Sequence, residues 1–117
     1  MPHVVLEGTI DLNDLQGRLS PVIERNESEI LKTGDFYLNQ TGNSALLEAI
    51  VIENGPPKNF FLHLSKKENS LTIRLFPLTD PKKTTGVKKL IGIIAKKIQE
   101  LFPESAFGKT NLQDFLA

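Results

Sequence analysis

The residue with the clearest chemical potential is the proline at position 2. Methionine is normally removed ahead of a small residue, which would leave Pro2 with a free secondary amine. An α-amino group titrates near pH ~7.7, far below a lysine, and burial favours its neutral form further. A neutral amine can accept a proton from a substrate, so this position predicts a general base that needs no cofactor.

No other catalytic or cofactor-binding motif is present in the sequence. It contains no glycine-rich phosphate loop, no dinucleotide fingerprint, no zinc-protease helix motif and no nucleophile elbow. The two histidines, His3 and His63, lie too far apart for metal-ligand spacing, and His63 falls among phenylalanines in a strand pattern. We therefore expect no metal and no cofactor, and a hydrogen-bonded or structural role for His63.

The composition is that of a single domain over residues 1–117. The chain carries 14 basic and 14 acidic side chains, so its net charge of zero gives no electrostatic reason to expect nucleic-acid binding. It has no cysteine, which excludes disulfides and thiolate chemistry. The sequence shows no signal peptide and no apolar stretch long enough to span a bilayer, so we expect a cytoplasmic protein with no membrane partner.

The first half of the chain mixes strand and helix patterns. A strand is predicted over 2–9, and a helix over 11–25 that breaks or restarts at Pro21, which cannot continue a helix interior. Residues 30–38 predict a turn followed by a short extended segment, and 41–44 predict a loop.

The second half predicts three strands and one long helix. The strands cover 45–53, 59–65 and 70–77, and their short connections favour an antiparallel meander. The helix covers 84–102, with apolar residues along one face, and the tail over 106–117 has no periodicity. The predicted fold class is therefore α+β, a mixed four- to five-stranded sheet backed by two helices.

Four short segments of the sequence resemble segments of a known family, and they occur in the same order. They read MPHVVLE at 1–7, LKTGDFYL at 31–38, ENGPPKNFF at 53–61 and FGKTNL at 107–112. The first is similar to the start of the 5-carboxymethyl-2-hydroxymuconate isomerases of the tautomerase superfamily. The others resemble that family's Thr-Gly-x-Phe stretch, its turn before a core strand and its aromatic-Lys-x-Asn-Asn tail, and together they span most of the chain.

The resemblance implies a tautomerase-like fold, an amino-terminal proline as the catalytic base and assembly into a homotrimer. Pro2 would remove a proton next to a carbonyl and return it elsewhere, an enol–keto isomerisation of a small carbonyl acid. Arg74 would hold the substrate carboxylate and favour the developing enolate. Lys109 takes the position of the family's tail lysine and is a second candidate for substrate binding.

Departures from the family pattern keep a second function open. Residues 43–48, where these isomerases place substrate-binding arginines, contain none. Residues 103–106 are too short for a strand that the family has there, and 66–70 look like an inserted turn. The alternative is a non-catalytic protein on the same scaffold, retained for small-molecule binding or for assembly. Arg74 is then an outward-facing strand residue, and Lys109 an exposed tail residue.

Overall fold

A computed structural model describes residues 2–116. The strands are β1 (His3–Glu7), β2 (Ile23–Arg25), β3 (Glu29–Leu38), β4 (Ser44–Glu53), β5 (Lys58–Lys67), β6 (Ser70–Leu75) and β7 (Ala106–Thr110). The α-helices are α1 (Leu12–Arg18) and α2 (Thr85–Leu101), and single turns of 3-10 helix cover Pro77–Thr79 and Gln113–Phe115. Neither α-helix in this range is long and apolar enough to cross a membrane.

The seven strands form one antiparallel sheet in the order β2-β3-β4-β5-β6-β1-β7, curled into a half-barrel. The fold-class prediction, a mixed four- to five-stranded tautomerase-like sheet backed by two helices, is therefore wrong. The sheet is larger than predicted because β2 and β7 extend its two edges. It has no parallel pair because β1 runs antiparallel to both of its neighbours, β6 and β7.

The two faces of the sheet have different surroundings. On β4, side chains alternate between buried and half-buried along the strand, as the two-residue period of a strand requires. Helix α2 packs over the buried side and contacts β1, β3, β4 and β6. We call this side the covered face. The other side, the open face, carries half-buried side chains from five strands: His3, Val5, Lys32, Leu46, Glu48, Ile50, Phe61, His63, Thr72 and Arg74.

Helix α2 confirms the helix predicted over 84–102. Its apolar stripe is fully buried at Val87, Leu90, Ile91, Ile94 and Ile98. The hydroxyl of Thr84 caps the helix by accepting a hydrogen bond from the Val87 backbone N–H. Glu53, at the end of β4, accepts a second bond from the Gly86 N–H at 2.8 Å. A strand end and a helix start are thereby joined by one carboxylate.

The helix predicted over 11–25 is wrong in its second half. Helix α1 ends at Arg18, and Leu19 already has an extended backbone. The chain then joins the sheet, since the Val22 N–H donates to the Thr33 hydroxyl and the Thr33 N–H donates to the Val22 carbonyl. Pro21 has no N–H to give to a helix, so pairing with β3 wins over helix continuation here.

The tail also contains a strand that its sequence does not predict. Residues 106–110 pair with β1, with Val4 opposite Thr110 and Leu6 opposite Phe107. A shift of register falls between these pairs, so β7 lacks the regular alternation by which strands are recognised. β7 forms because it pairs with the otherwise unpaired edge of β1. This pairing is a tertiary contact, and a local strand propensity does not account for it.

Candidate functional site

Four side chains on the open face form a row across neighbouring strands. Leu46 lies opposite His63, His63 opposite Arg74, and Arg74 opposite His3. Directly opposed residues of antiparallel strands have Cβ atoms roughly 5 Å apart. The row therefore holds one guanidinium between two imidazoles, with an apolar side chain at its end.

Arg74 is half-buried and has no carboxylate partner among residues 2–116. Its Nε donates to Nδ1 of His63 over 3.4 Å, which is a long hydrogen bond. Arginine presents a planar fork of donors that matches a carboxylate or phosphate. A partly desolvated guanidinium without an acidic partner is thus a candidate anion-binding group.

The contact with Arg74 fixes the tautomer of His63. A guanidinium can only donate, so Nδ1 must accept, and the ring proton lies on Nε2. That proton is donated to Oγ of Ser44, 2.8 Å away. Burial, and then the charge of Arg74, lower the pKa of His63, which favours the neutral ring. The predicted hydrogen-bonded role of His63 is confirmed.

The same tautomer argues against nucleophilic catalysis at Ser44. A catalytic serine gives its proton to a histidine nitrogen that accepts it. Here the imidazole of His63 donates to Ser44, and its accepting nitrogen faces Arg74. The three residues orient one another, but they do not make an activated hydroxyl.

A cleft of about 390 Å³ lies further along β4 on the open face. At this cleft β3 has a bulge, where Thr33 pairs with Ala49 but Phe36 pairs with Leu47. The extra residue leaves the Asp35 N–H without a strand partner, and this N–H donates to Oε1 of Glu48 at 2.9 Å. The bulge therefore fixes the position of the Glu48 carboxylate at the cleft.

Gly34 leaves room for the carboxylate at this bulge. A Cβ at this position would lie 2.8 Å from Oε1 of Glu48, so the end of the Glu48 side chain would have to shift. The remaining lining is mixed. Ile50 and Phe61 supply apolar surface, and the Lys32 ammonium supplies a positive charge. The volume is within the 300–1,000 Å³ typical of small-molecule sites.

Tyr37 marks the negative end of this cleft. The charge of Glu48 raises the pKa of the Tyr37 phenol, and burial and Asp35 raise it further. The Tyr37 ring also meets Phe61 edge-on, with ring centroids 6.2 Å apart. This contact separates the cleft from a smaller one, of about 330 Å³, that is lined by Leu46, His63 and Phe76.

Pro2 lies on the opposite side of the sheet from Arg74. It is buried, and its position in the alternation of β1 matches that of buried Val4 and Leu6 on the covered face. Arg74 pairs with His3, whose side chain shares the open face. The ring of Pro2 and the side chain of Arg74 therefore project from different faces of the sheet. The catalytic role of Pro2 stays a prediction.

Lys109 is not part of the row that contains Arg74. It is exposed on the edge strand β7 and lines a shallow cleft with Val5, Glu7 and Lys67. Arg74 does not line this cleft. The structure thus groups His3, His63 and Arg74, and it leaves Lys109 apart.

Sequence reasoning missed Lys32 and Glu48. Lys32 is one of many lysines, and Glu48 follows two leucines in a strand, so neither carries a local signal. The Thr-Gly pair at 33–34 was the available clue, since an isolated glycine in a strand pattern often marks a bulge.

Comparisons with protein-family models, with curated proteins and with solved structures find no match for this chain.

Proposed function

We propose that this protein binds a small organic carboxylate on its open face and that Arg74 is the anion-binding group. The observation that carries the proposal is the half-buried Arg74 guanidinium, which lacks a carboxylate partner among residues 2–116. Charge-assisted, bidentate pairing with a ligand carboxylate would satisfy donors that the described chain leaves open.

The surroundings of Arg74 favour a ligand with an apolar part. The His63 ring packs against Phe76, with centroids 5.9 Å apart, and both line the small cleft over Leu46. A carboxylate at Arg74 can therefore extend an aromatic or branched group onto these side chains. This is the non-catalytic, small-molecule-binding alternative that the sequence left open.

The test is binding of 3-phenylpropanoate and of its uncharged amide, measured by chemical-shift titration. We expect the acid to bind at least about tenfold more tightly than the amide, because one charge-assisted contact contributes about 1.5–3 kcal/mol. Arg74→Gln should remove this preference, and Arg74→Lys should keep part of it.

The matched control is Lys109→Gln, which removes a cation from the separate cleft on β7. Its preference for the acid should equal that of the wild type. Unchanged preference in Arg74→Gln, or no saturable binding of the acid to the wild type, would contradict the proposal.

A specific observation also keeps the isomerase as a second candidate. The residue after Pro2 is held at both backbone groups, since the His3 N–H donates to Oδ1 of Asn111 at 3.0 Å and the His3 carbonyl accepts from the Thr110 hydroxyl at 2.7 Å. A free Pro2 amine would thus be held rigidly at the start of β1. Residue 1, whose removal this requires, lies outside the described residues.

For the isomerase we expect Pro2→Ala to abolish enol–keto conversion of phenylpyruvate. A primary amine replaces the secondary one, so the base changes while the buried strand start stays small. The measurement is the loss of enol absorbance with time, after mass spectrometry has shown that Met1 is absent. Background-level rates in both wild type and variant would reject the isomerase and leave the binding function untouched.

Self-association and location complete the proposal. The edge strands β2 and β7 both expose an apolar side chain, Ile23 and Phe107. Pairing of β2 on one copy with β7 on the next is a head-to-tail contact, which closes into a ring if the rotation per copy allows it. A homotrimer is one such ring. Because the composition contains no cysteine, we propose that the protein is located in the cytoplasm.

A further inference from the structure

The cleft at the β3 bulge has a positive and a negative end that do not neutralise each other. Lys32 and Glu48 both line it, yet no ion pair joins them, and neither has an ion pair elsewhere in the described chain. Lys32 pairs in register with Ile50, two residues from Glu48 on the same face. Diagonal neighbours of this kind are roughly 7–8 Å apart at their backbones. Because the Lys32 ammonium and the Glu48 carboxylate form no ion pair, a small group fits between them.

The Glu48 carboxylate cannot simply swing over to Lys32. Its Oε1 is held by the Asp35 N–H at the bulge, and Gly34 packs against it without a side chain. The Tyr37 phenol beside it has a raised pKa, so it stays protonated and adds no second charge that would compete for a ligand. The negative end of the cleft is therefore fixed and close to the floor.

The cleft offers apolar side chains between the two charges, with some polar groups beside them. Ile50 on β4 and Phe61 on β5 supply the apolar surface, and Asn59 and Thr79 are the polar side chains. A ligand that fills it should carry an ammonium and a carboxylate a few ångströms apart, together with a hydrocarbon group. We infer that this cleft is a binding site for an apolar α-amino acid, with its ammonium at Glu48, its carboxylate at Lys32 and its side chain against Ile50 and Phe61.

This site is distinct from the one proposed at Arg74. Arg74 lies on β6, two strands from Glu48, so roughly 10 Å of sheet separates them. Arg74 does not line the cleft at the bulge. The two sites can therefore be removed one at a time.

The test is calorimetric titration with L-phenylalanine and L-leucine, and with two derivatives of phenylalanine that each lose one charge. N-acetyl-L-phenylalanine lacks the ammonium, and L-phenylalaninamide lacks the carboxylate. We expect each derivative to bind at least about tenfold more weakly than the free amino acid, since each loses one charge-assisted contact. Glycine, which lacks the hydrocarbon group, should also bind weakly.

Two variants assign the charges. Glu48→Gln keeps an oxygen that can accept from the Asp35 N–H, so the bulge should persist while the ammonium partner is lost. It should bind phenylalanine about tenfold more weakly and no longer distinguish it from the N-acetyl derivative. Lys32→Gln should likewise lose the distinction between phenylalanine and its amide. Circular dichroism and thermal midpoints confirm that each variant is folded.

Lys109→Gln is the matched control, because it removes a cation from the separate cleft on β7 and should leave amino-acid binding unchanged. The inference is overturned if neither amino acid binds saturably, if the charged and derivatised forms bind alike, or if Glu48→Gln and Lys32→Gln bind phenylalanine as tightly as the wild type does. None of these results bears on the binding of 3-phenylpropanoate at Arg74, so the two proposals fail independently.

Discussion

Replacing Glu53 by alanine is expected to lower the free energy of unfolding by about 2–3 kcal/mol, through the loss of a helix cap and of a charged acceptor. Oε1 accepts from the Gly86 N–H at 2.8 Å, and Oε2 accepts from the Thr84 hydroxyl at 2.5 Å. The carboxylate also faces the positive end of the α2 dipole, and Lys58 lies 3.6 Å from it. Urea unfolding followed by circular dichroism measures the loss.

Two substitutions separate the causes of this effect. Glu53→Gln keeps an acceptor for the Gly86 N–H but removes the charge. We expect its free energy of unfolding to fall by about 1 kcal/mol. Asp14→Ala breaks an ion pair with Arg18 that is exposed on both sides, and should change stability by less than about 0.5 kcal/mol. A loss in Glu53→Ala no larger than that in Asp14→Ala would mean that Glu53 does not anchor α2.

Replacing Leu47 by alanine should lower the free energy of unfolding by about 2–5 kcal/mol, because it leaves a cavity in the core. Leu47 is 2% exposed on the covered face, and the site is closed by the sheet on one side and by the helices on the other. The free energy of unfolding of a whole domain is about 5–15 kcal/mol, so this single change should shift the denaturation midpoint markedly. Urea and thermal unfolding both report it.

The matched control is the preceding residue, Leu46, which has the same side chain on the other face of β4. Leu46 is half-buried on the open face, so Leu46→Ala should lower the free energy of unfolding by less than about 1.5 kcal/mol. Equal losses at the two positions would show that the open face is covered in solution. If the Leu46→Ala loss grew with protein concentration, a second copy of the chain would be the cover.

The elements that the sequence predicts well are those with a complete pattern of their own. Helix α2 has apolar residues at helical spacing, a capping threonine and a proline after its end, and its bounds differ from the prediction by one residue at each end. The meander of β4, β5 and β6 follows from apolar runs with polar turns between them. In these segments local preference and tertiary packing agree, so a single sequence is sufficient.

The errors fall where pairing partners decide the structure. β2 is three residues long and depends on its pairing with β3, and β7 depends on the free edge of β1. Whether β1 runs parallel or antiparallel to its neighbours cannot be read from β1 itself. The predicted sheet was too small and of mixed type for this reason, and the family resemblance could not correct it.

The candidate sites show the same division between local and non-local information. The sequence singles out Arg74, but its place between His3 and His63 is a consequence of register across three strands. Lys32 and Glu48 line one cleft because Lys32 pairs with Ile50, two residues from Glu48 on the same face. Register and bulges are set by pairing, so a list of charged residues in sequence order does not reveal them.

The position of β1 in the sheet has a consequence for how the chain folds. Strands β3 to β6 pair in chain order and can form as each one follows the last, whereas both partners of β1 lie beyond residue 69. Contacts between distant parts of a chain form slowly, because a long loop must close first. During synthesis β1 must wait for β6, which ends at Leu75, and its other edge stays unpaired until β7 has been made. We expect the meander to assemble first and β1 to be inserted between β6 and β7 as the closing step.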